Sequence, residues 1–273
     1  MPSRSNRRQF AAGLAAVPLA GLAARRARSA DSRDFVLIPG TWHGGWVWTP
    51  VANRLIRAGH RAFAITCTGV GERAHLATPN VGLDTHIDDV SRCIELEELD
   101  DVTLVAHSFG GITATGVCDR FRERIRRVVF FDAFVPTPER AAWVRRNEDG
   151  AWPDWWLARR AKFVDGYLMD FFAEYPLKML IDPADHPTLA ESVRQRLTYH
   201  PAKQWTDPVS FANGGWQGLP RAYVHCVGQE FRQSSAAMYG PAQAPGWDWF
   251  DLPTQRLGML THPGRVAELL LAL

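Results

Sequence analysis

Cysteine is scarce in this chain. Its four cysteines, Cys67, Cys93, Cys118 and Cys226, share no paired spacing, which argues against a disulfide framework and leaves them as small buried hydrophobes. No Cys/His cluster has the spacing of zinc ligands. There is no internal repeat and no low-complexity tract, so repeat and linker-rich architectures fall away. The longest weakly apolar stretch, Phe10–Ala24, falls short of the roughly 20 residues that a membrane-spanning helix needs. Charge of one sign is also lacking. Six Arg and no acidic residue lie in residues 1–30. The remainder carries 25 Lys and Arg against 29 Asp and Glu, with no basic stripe that would suit nucleic acid.

What is present begins at the N-terminus. Arg7-Arg8 with Phe10 two residues on, the Ala/Gly/Leu run, and then Arg25–Ala30 follow the order of a cleavable export signal of the twin-arginine type. The expectation is an exported protein, periplasmic or secreted, with residues 1–30 removed and residues 31–273 forming one domain. A basic tail on a cytoplasmic protein is the alternative. Strand-like runs follow at Phe35–Ile38, Arg61–Thr66, Val102–Ala106, Arg127–Phe131, Ala222–Val227 and Trp247–Leu252. Helical stretches alternate with them: Val47–Ala58, a helix opened by the capping-box pattern Thr85–Asp88 and reaching Leu96, Gly110–Phe121 and Arg265–Leu271. The alternation predicts an α/β fold, with a mostly parallel sheet of about six strands flanked by helices. Between residues 136 and 220 prolines and aromatics replace this pattern. That stretch reads as short helices and loops inserted after the strand that ends at Asp132.

Most of the chemistry sits in Val102–Gly111, VTLVAHSFGG. An apolar strand runs into a serine with small residues two before and two after it, Ala106 and Gly110. This is close to the Gly-x-Ser-x-Gly nucleophile elbow, in which strand and helix pack too tightly at the bend for larger side chains. Ser108 is expected at positive φ with its Oγ raised above the sheet edge.

The elbow, together with Val36–Trp48 (VLIPGTWHGGWVW), resembles the α/β-hydrolase superfamily, and within it the group of plant methylesterases, hydroxynitrile lyases and related bacterial esterases. Thr68–Leu76 and Val128–Pro136 resemble the bacterial members. The resemblance runs from about Phe35 to the C-terminus. It implies a small-molecule substrate and no cofactor or metal. It implies two oxyanion donors, the backbone N–H groups of Thr41 and Phe109. Trp42 and His43 share the first of these loops and are candidate substrate contacts, although the preferred role of the His43 ring is to fix the loop by hydrogen bonds. Gly40 stands where similar hydroxynitrile lyases carry Thr, which argues against cyanohydrin cleavage.

The resemblance breaks at the acid and the base. Gln229 stands where plant members have Asp and becomes a candidate substrate contact; the adjacent Glu230 is expected to point elsewhere. Asp132 is then the candidate acid, with a purely structural loop-holding role as the alternative. Aligning Met259-Leu260-Thr261 puts Arg256 at the histidine position, with Gln255 and Leu257 beside it. A guanidinium cannot act as a general base near neutral pH, but it can fix an anion or stabilise an enolate. Asp132 and Arg256 are expected to form an ion pair. His262, His107 and His225 do not lie on the right loop to substitute, and His107 is expected to point away from the Ser108 Oγ because neighbours alternate along a strand.

The inserted segment is rich in aromatics, including Trp143, Trp152, Trp155 and Trp156. Trp143 and Trp155, with Trp42, are expected to line a pocket for an apolar or aromatic small molecule. Three readings follow. The preferred one is a cofactor-free enzyme in which the oxyanion donors and Arg256 stabilise an enolate or phenolate during C–C bond formation, cleavage or conjugate addition. The alternatives are a carboxylesterase or methylesterase using Ser108, and a catalytically inactive small-molecule-binding pseudohydrolase.

Overall fold

The computed structural model describes residues 32–228 and 238–273. The N-terminal export pattern, the candidate Gln229 and the neighbouring Glu230 lie outside the described residues. β1 (Asp34–Ile38) is followed by α1 (Thr49–Arg57), β2 (Arg61–Ala64), α2 (Leu83–Leu96), β3 (Val102–His107), α3 (Gly110–Arg120) and β4 (Ile125–Phe131). The inserted segment contributes α4 (Asp154–Arg160), β5 (Leu168–Met169), α5 (Pro187–Arg196) and β6 (His200–Pro201). The chain then returns through β7 (Arg221–Cys226), β8 (Asp248–Leu252), α6 (Gly258–Thr261) and α7 (Pro263–Ala272). Six strands form one sheet in the order β2-β1-β3-β4-β7-β8, and every pair is parallel.

Helices on both faces explain why the central strands are near-continuous apolar runs instead of alternating ones. Phe35–Ile38, Leu104–Ala106 and Val128–Phe131 are fully buried, and each large side chain among them contributes about 1.5–3 kcal/mol on burial. The strand order turns at β1: β2 lies on one side of it and β3 on the other. The loops leaving the carboxyl ends of β1 and β3 therefore diverge and open a crevice, the usual place for a ligand in such a sheet.

Two local expectations need correction. The Thr85–Asp88 capping box does not form. The helix starts earlier, with Gly82 at its N-cap and no side-chain cap of its own. Asp207 Oδ2 of the inserted segment accepts the Leu83 N–H instead, at 3.0 Å. A long-range acceptor thus replaced the local one. The inserted segment also holds a small antiparallel pair, β5 with β6, too short to leave a period in the sequence. Among the described residues no helix is long and apolar enough to cross a membrane.

Candidate active site

Ser108 has φ +55°, a conformation that costs a non-glycine residue free energy and persists only where neighbours over-determine it. Here they do. The Ser108 N–H donates to the Phe131 carbonyl at 3.2 Å, and the Ser108 carbonyl accepts from the Phe134 N–H at 2.9 Å and the Gly111 N–H at 3.2 Å. The small residues are required by contact: a Cβ on Gly110 would lie 2.6 Å from the Pro39 carbonyl oxygen, and one on Gly40 would lie 2.7 Å from the Ser108 Cβ. Gly40 lets the β1 loop close directly onto the serine.

Arg256 comes from the loop between β8 and α6. Its Nη1 donates to Asp132 Oδ2 at 2.5 Å and its Nη2 donates to Ser108 Oγ at 2.5 Å. Both members of the ion pair are buried, Arg256 at 6% exposure and Asp132 at 1%, so water screens the pair little. Asp132 itself has φ +45°, and its N–H donates to the Val224 carbonyl at 2.7 Å. The neighbours of Arg256 fasten its loop to the inserted segment. Gln255 Oε1 accepts the Asp182 N–H at 2.6 Å, Gln255 Nε2 donates to Asp185 Oδ2 at 3.2 Å, and the Leu257 N–H donates to the Leu180 carbonyl at 3.2 Å. The residues flanking Arg256 thus anchor the guanidinium.

The β1 loop is held as firmly. Trp42 has φ +68°. His43 Nδ1 donates to the Thr41 carbonyl at 2.7 Å. A carbonyl only accepts, so Nδ1 carries the proton and the His43 ring does fix the loop. Among the described residues neither the Thr41 N–H nor the Phe109 N–H has a hydrogen-bond acceptor. Both residues line the same cavity as Ser108 and Arg256. Two backbone donors without acceptors, on residues that share a cavity with a nucleophile, are the groups that an oxygen gaining charge requires.

The cavity has a volume of about 70 Å³ and an almost wholly apolar wall, with Trp42, Phe109, Trp143, Phe171 and Trp205 among its lining. His43 is also at the wall. Trp155 is a correction: it is 50% exposed and not at the cavity, because α4 turns its neighbours Trp156 and Arg159 inward. His107 lies at the cavity wall, and its ring packs edge-on to His43 and Phe131. Sequence reasoning missed Trp205, which stacks on Phe109 at 5.0 Å, and the role of Gln255. Nothing local marks either one, since both act through contacts distant in sequence.

Four buried imidazoles surround this region. Burial lowers His43 to about 4, lowers His86, and holds His107 and His200 well below the ordinary imidazole range. In the unfolded chain each titrates near about 6.5. Below that pH the unfolded chain binds protons that the fold refuses, so stability is fully present above about 6.5 and is lost as pH falls. The His43 share, about 3 kcal/mol, is exhausted once the pH passes below about 4. Urea midpoints are expected to drop steadily between about pH 7 and about pH 4.5; a flat profile would show that these rings are not buried neutral.

Comparisons with known proteins agree with this fold. The model of the alpha/beta hydrolase family matches residues 35–269. The chain is 38% identical over 247 residues to a carbendazim hydrolyzing esterase of Nocardioides sp. (strain SG-4G), covering 88% of this chain and 99% of that protein. It is 26% identical over 217 residues to methylesterase 2 of Arabidopsis thaliana, covering 71% of this chain and 77% of that protein. Among solved structures it is similar to an extracellular alpha/beta-hydrolase from a Paenibacillus species, with a TM-score of 0.69 at 20% identity over 88% of this chain and 98% of the other. The sheet order, the elbow and these matches lead to one conclusion: the chain belongs to the alpha/beta hydrolase family.

Proposed function

We propose that this protein is an esterase-type hydrolase of a small apolar or aromatic ester, with Ser108 as nucleophile and the Thr41 and Phe109 N–H groups as oxyanion donors. The observation that carries the reading is Ser108 at φ +55° beside two backbone donors without acceptors. The full-length likeness to an esterase, at 38% identity, favours it over the non-hydrolytic reading preferred from sequence alone. Ser108 Oγ attacks the ester carbonyl, the two N–H groups hold the oxyanion, the alcohol or phenol oxygen departs, and water releases the acid from the acyl-serine. Arg256 stabilises the deprotonated Oγ but accepts no proton from it. The arrangement therefore suits leaving groups that need no protonation, such as phenolates, and a rate that climbs with pH as hydroxide takes the serine proton.

Aryl acetates of graded leaving-group pKa, assayed with wild type and Ser108→Ala, test this. Turnover is expected to fall at least about 10³-fold in the variant. Equal activity in both proteins would remove Ser108 from the mechanism. One observation favours a second reading. The Arg256 guanidinium 2.5 Å from Oγ is also placed to hold an enolate or phenolate oxygen, which supports cofactor-free C–C bond chemistry on the same scaffold. Under that reading Ser108→Ala loses ester hydrolysis that was negligible from the start.

A further inference from the structure

The peptide unit joining Thr41 to Trp42 is gripped at both ends by imidazoles. Its carbonyl accepts from His43 Nδ1 at 2.7 Å, and its N–H donates to His200 Nδ1 at 3.3 Å. His200 belongs to β6 in the inserted segment, far from the loop in sequence. Because Nδ1 accepts, the His200 proton sits on Nε2, which donates to Gln204 Oε1 at 2.5 Å. Gln204 Nε2 in turn donates to Thr113 Oγ1 at 3.1 Å. Thr113 lies on α3, the helix whose N-terminal end carries Phe109. Every member of this chain is buried, His200 at 2% exposure and Gln204 at 3%. Two further bonds tie the same residue to the inserted segment: the Trp42 carbonyl accepts the Thr198 N–H at 3.2 Å, and Trp42 Nε1 donates to the Met169 carbonyl at 3.0 Å.

We infer that His200 is a positioning residue for the oxyanion donors: through Trp42 on one side and Gln204–Thr113 on the other, it fixes the Thr41 N–H relative to the Phe109 N–H. The role follows from connectivity. The two donors come from different elements, the loop after β1 and the start of α3, and buried hydrogen bonds through His200 join those elements. Trp42 at φ +68° is held in an unfavourable conformation, and such a residue relaxes when its restraints are cut. Relaxation would turn the Thr41–Trp42 peptide and, through the Thr41 Cα, shift the preceding Gly40–Thr41 peptide, which carries the Thr41 N–H. A donor off its line of approach weakens charge stabilisation in the transition state more than ground-state binding, so the loss falls on kcat. For ester hydrolysis this rests on the function proposed above; the link between His200 and the loop geometry does not.

The test separates the two ring nitrogens. Asn places its Oδ1 where Nδ1 lies and keeps an acceptor for the Trp42 N–H; Leu removes both bonds. Three measurements are made on wild type, His200→Asn and His200→Leu: amide hydrogen exchange of Trp42, the backbone amide resonances of Thr41 and Phe109, and aryl acetate kinetics. In His200→Leu the Trp42 amide is expected to exchange at least about tenfold faster, the Thr41 resonance to move, and kcat to fall about tenfold or more with little change in KM. His200→Asn keeps the acceptor for the Trp42 N–H but loses the bond to Gln204, so it is expected to keep Trp42 protected and to lose clearly less kcat than His200→Leu. Unchanged Trp42 exchange in His200→Leu, or Asn and Leu variants that behave alike, overturns the inference. A wild type without Ser108-dependent turnover, but with the expected exchange and resonance pattern, overturns the esterase reading and upholds the positioning role.

Discussion

Arg256→Met is expected to lower kcat on an aryl ester by at least about tenfold, with KM little changed. One donor aimed at developing charge in a dry site is worth about 2.7–4 kcal/mol, and about 1.4 kcal/mol is a factor of ten. The Nη2–Oγ bond at 2.5 Å places the charge on the reacting oxygen, so its contribution grows as that oxygen becomes anionic. Arg256→Lys is expected to recover only part of the rate, because a point charge cannot serve Asp132 and Ser108 with one planar fork. Arg256→His is the opposite probe. It supplies an imidazole beside Asp132, and general-base catalysis of this kind contributes about 10²–10⁴-fold. That variant should exceed wild type on aryl esters and acquire an inflection near about pH 6.5, active above it, where the ring is neutral. If Arg256→Met leaves kcat untouched and raises only KM, the guanidinium binds substrate and takes no part in the chemistry.

The architecture was legible in the sequence because local signals and burial agreed. Strands such as Phe35–Ile38 and Val128–Phe131 are apolar runs bounded by turn residues, and they are fully buried in a parallel sheet. The bend at Ser108 was legible for the same reason: Ala106 and Gly110 leave room that only this elbow needs. The juxtaposition of Asp132 with Arg256 was readable from the resemblance, which put Arg256 at the histidine position and left Asp132 as the candidate acid. What was hidden acts across the chain. Asp207 caps a helix more than a hundred residues away. His200 reaches the β1 loop from a two-residue strand. Trp155 and Trp156 are neighbours of equal hydrophobicity, and only the docking of α4 decides that one is half exposed and the other buried. Aromatic content alone therefore overstated which rings line the cavity.

Asp132→Asn is expected to destabilise the fold by about 3–5 kcal/mol, the range found when one member of a buried ion pair is removed and the other charge stays. The substitution isolates the charge. Asn tolerates the positive φ that residue 132 adopts, keeps the side-chain shape, and leaves the backbone bond to Val224 in place. What it removes is the carboxylate facing Arg256 Nη1 at 2.5 Å, with Arg256 only 6% exposed. Arg256→Met should cost less, because a buried carboxylate can take up a proton whereas a guanidinium cannot shed one. The double variant Asp132→Asn/Arg256→Met should then be more stable than Asp132→Asn alone, since no uncompensated charge remains. Urea unfolding of wild type, both single variants and the double variant gives the coupling directly. A coupling below about 0.5 kcal/mol would mean that the two charges are effectively independent. A large one would mean that the pair is a structural requirement of this site, and that the rate lost in Arg256→Met must be measured well below its melting temperature before it is assigned to catalysis.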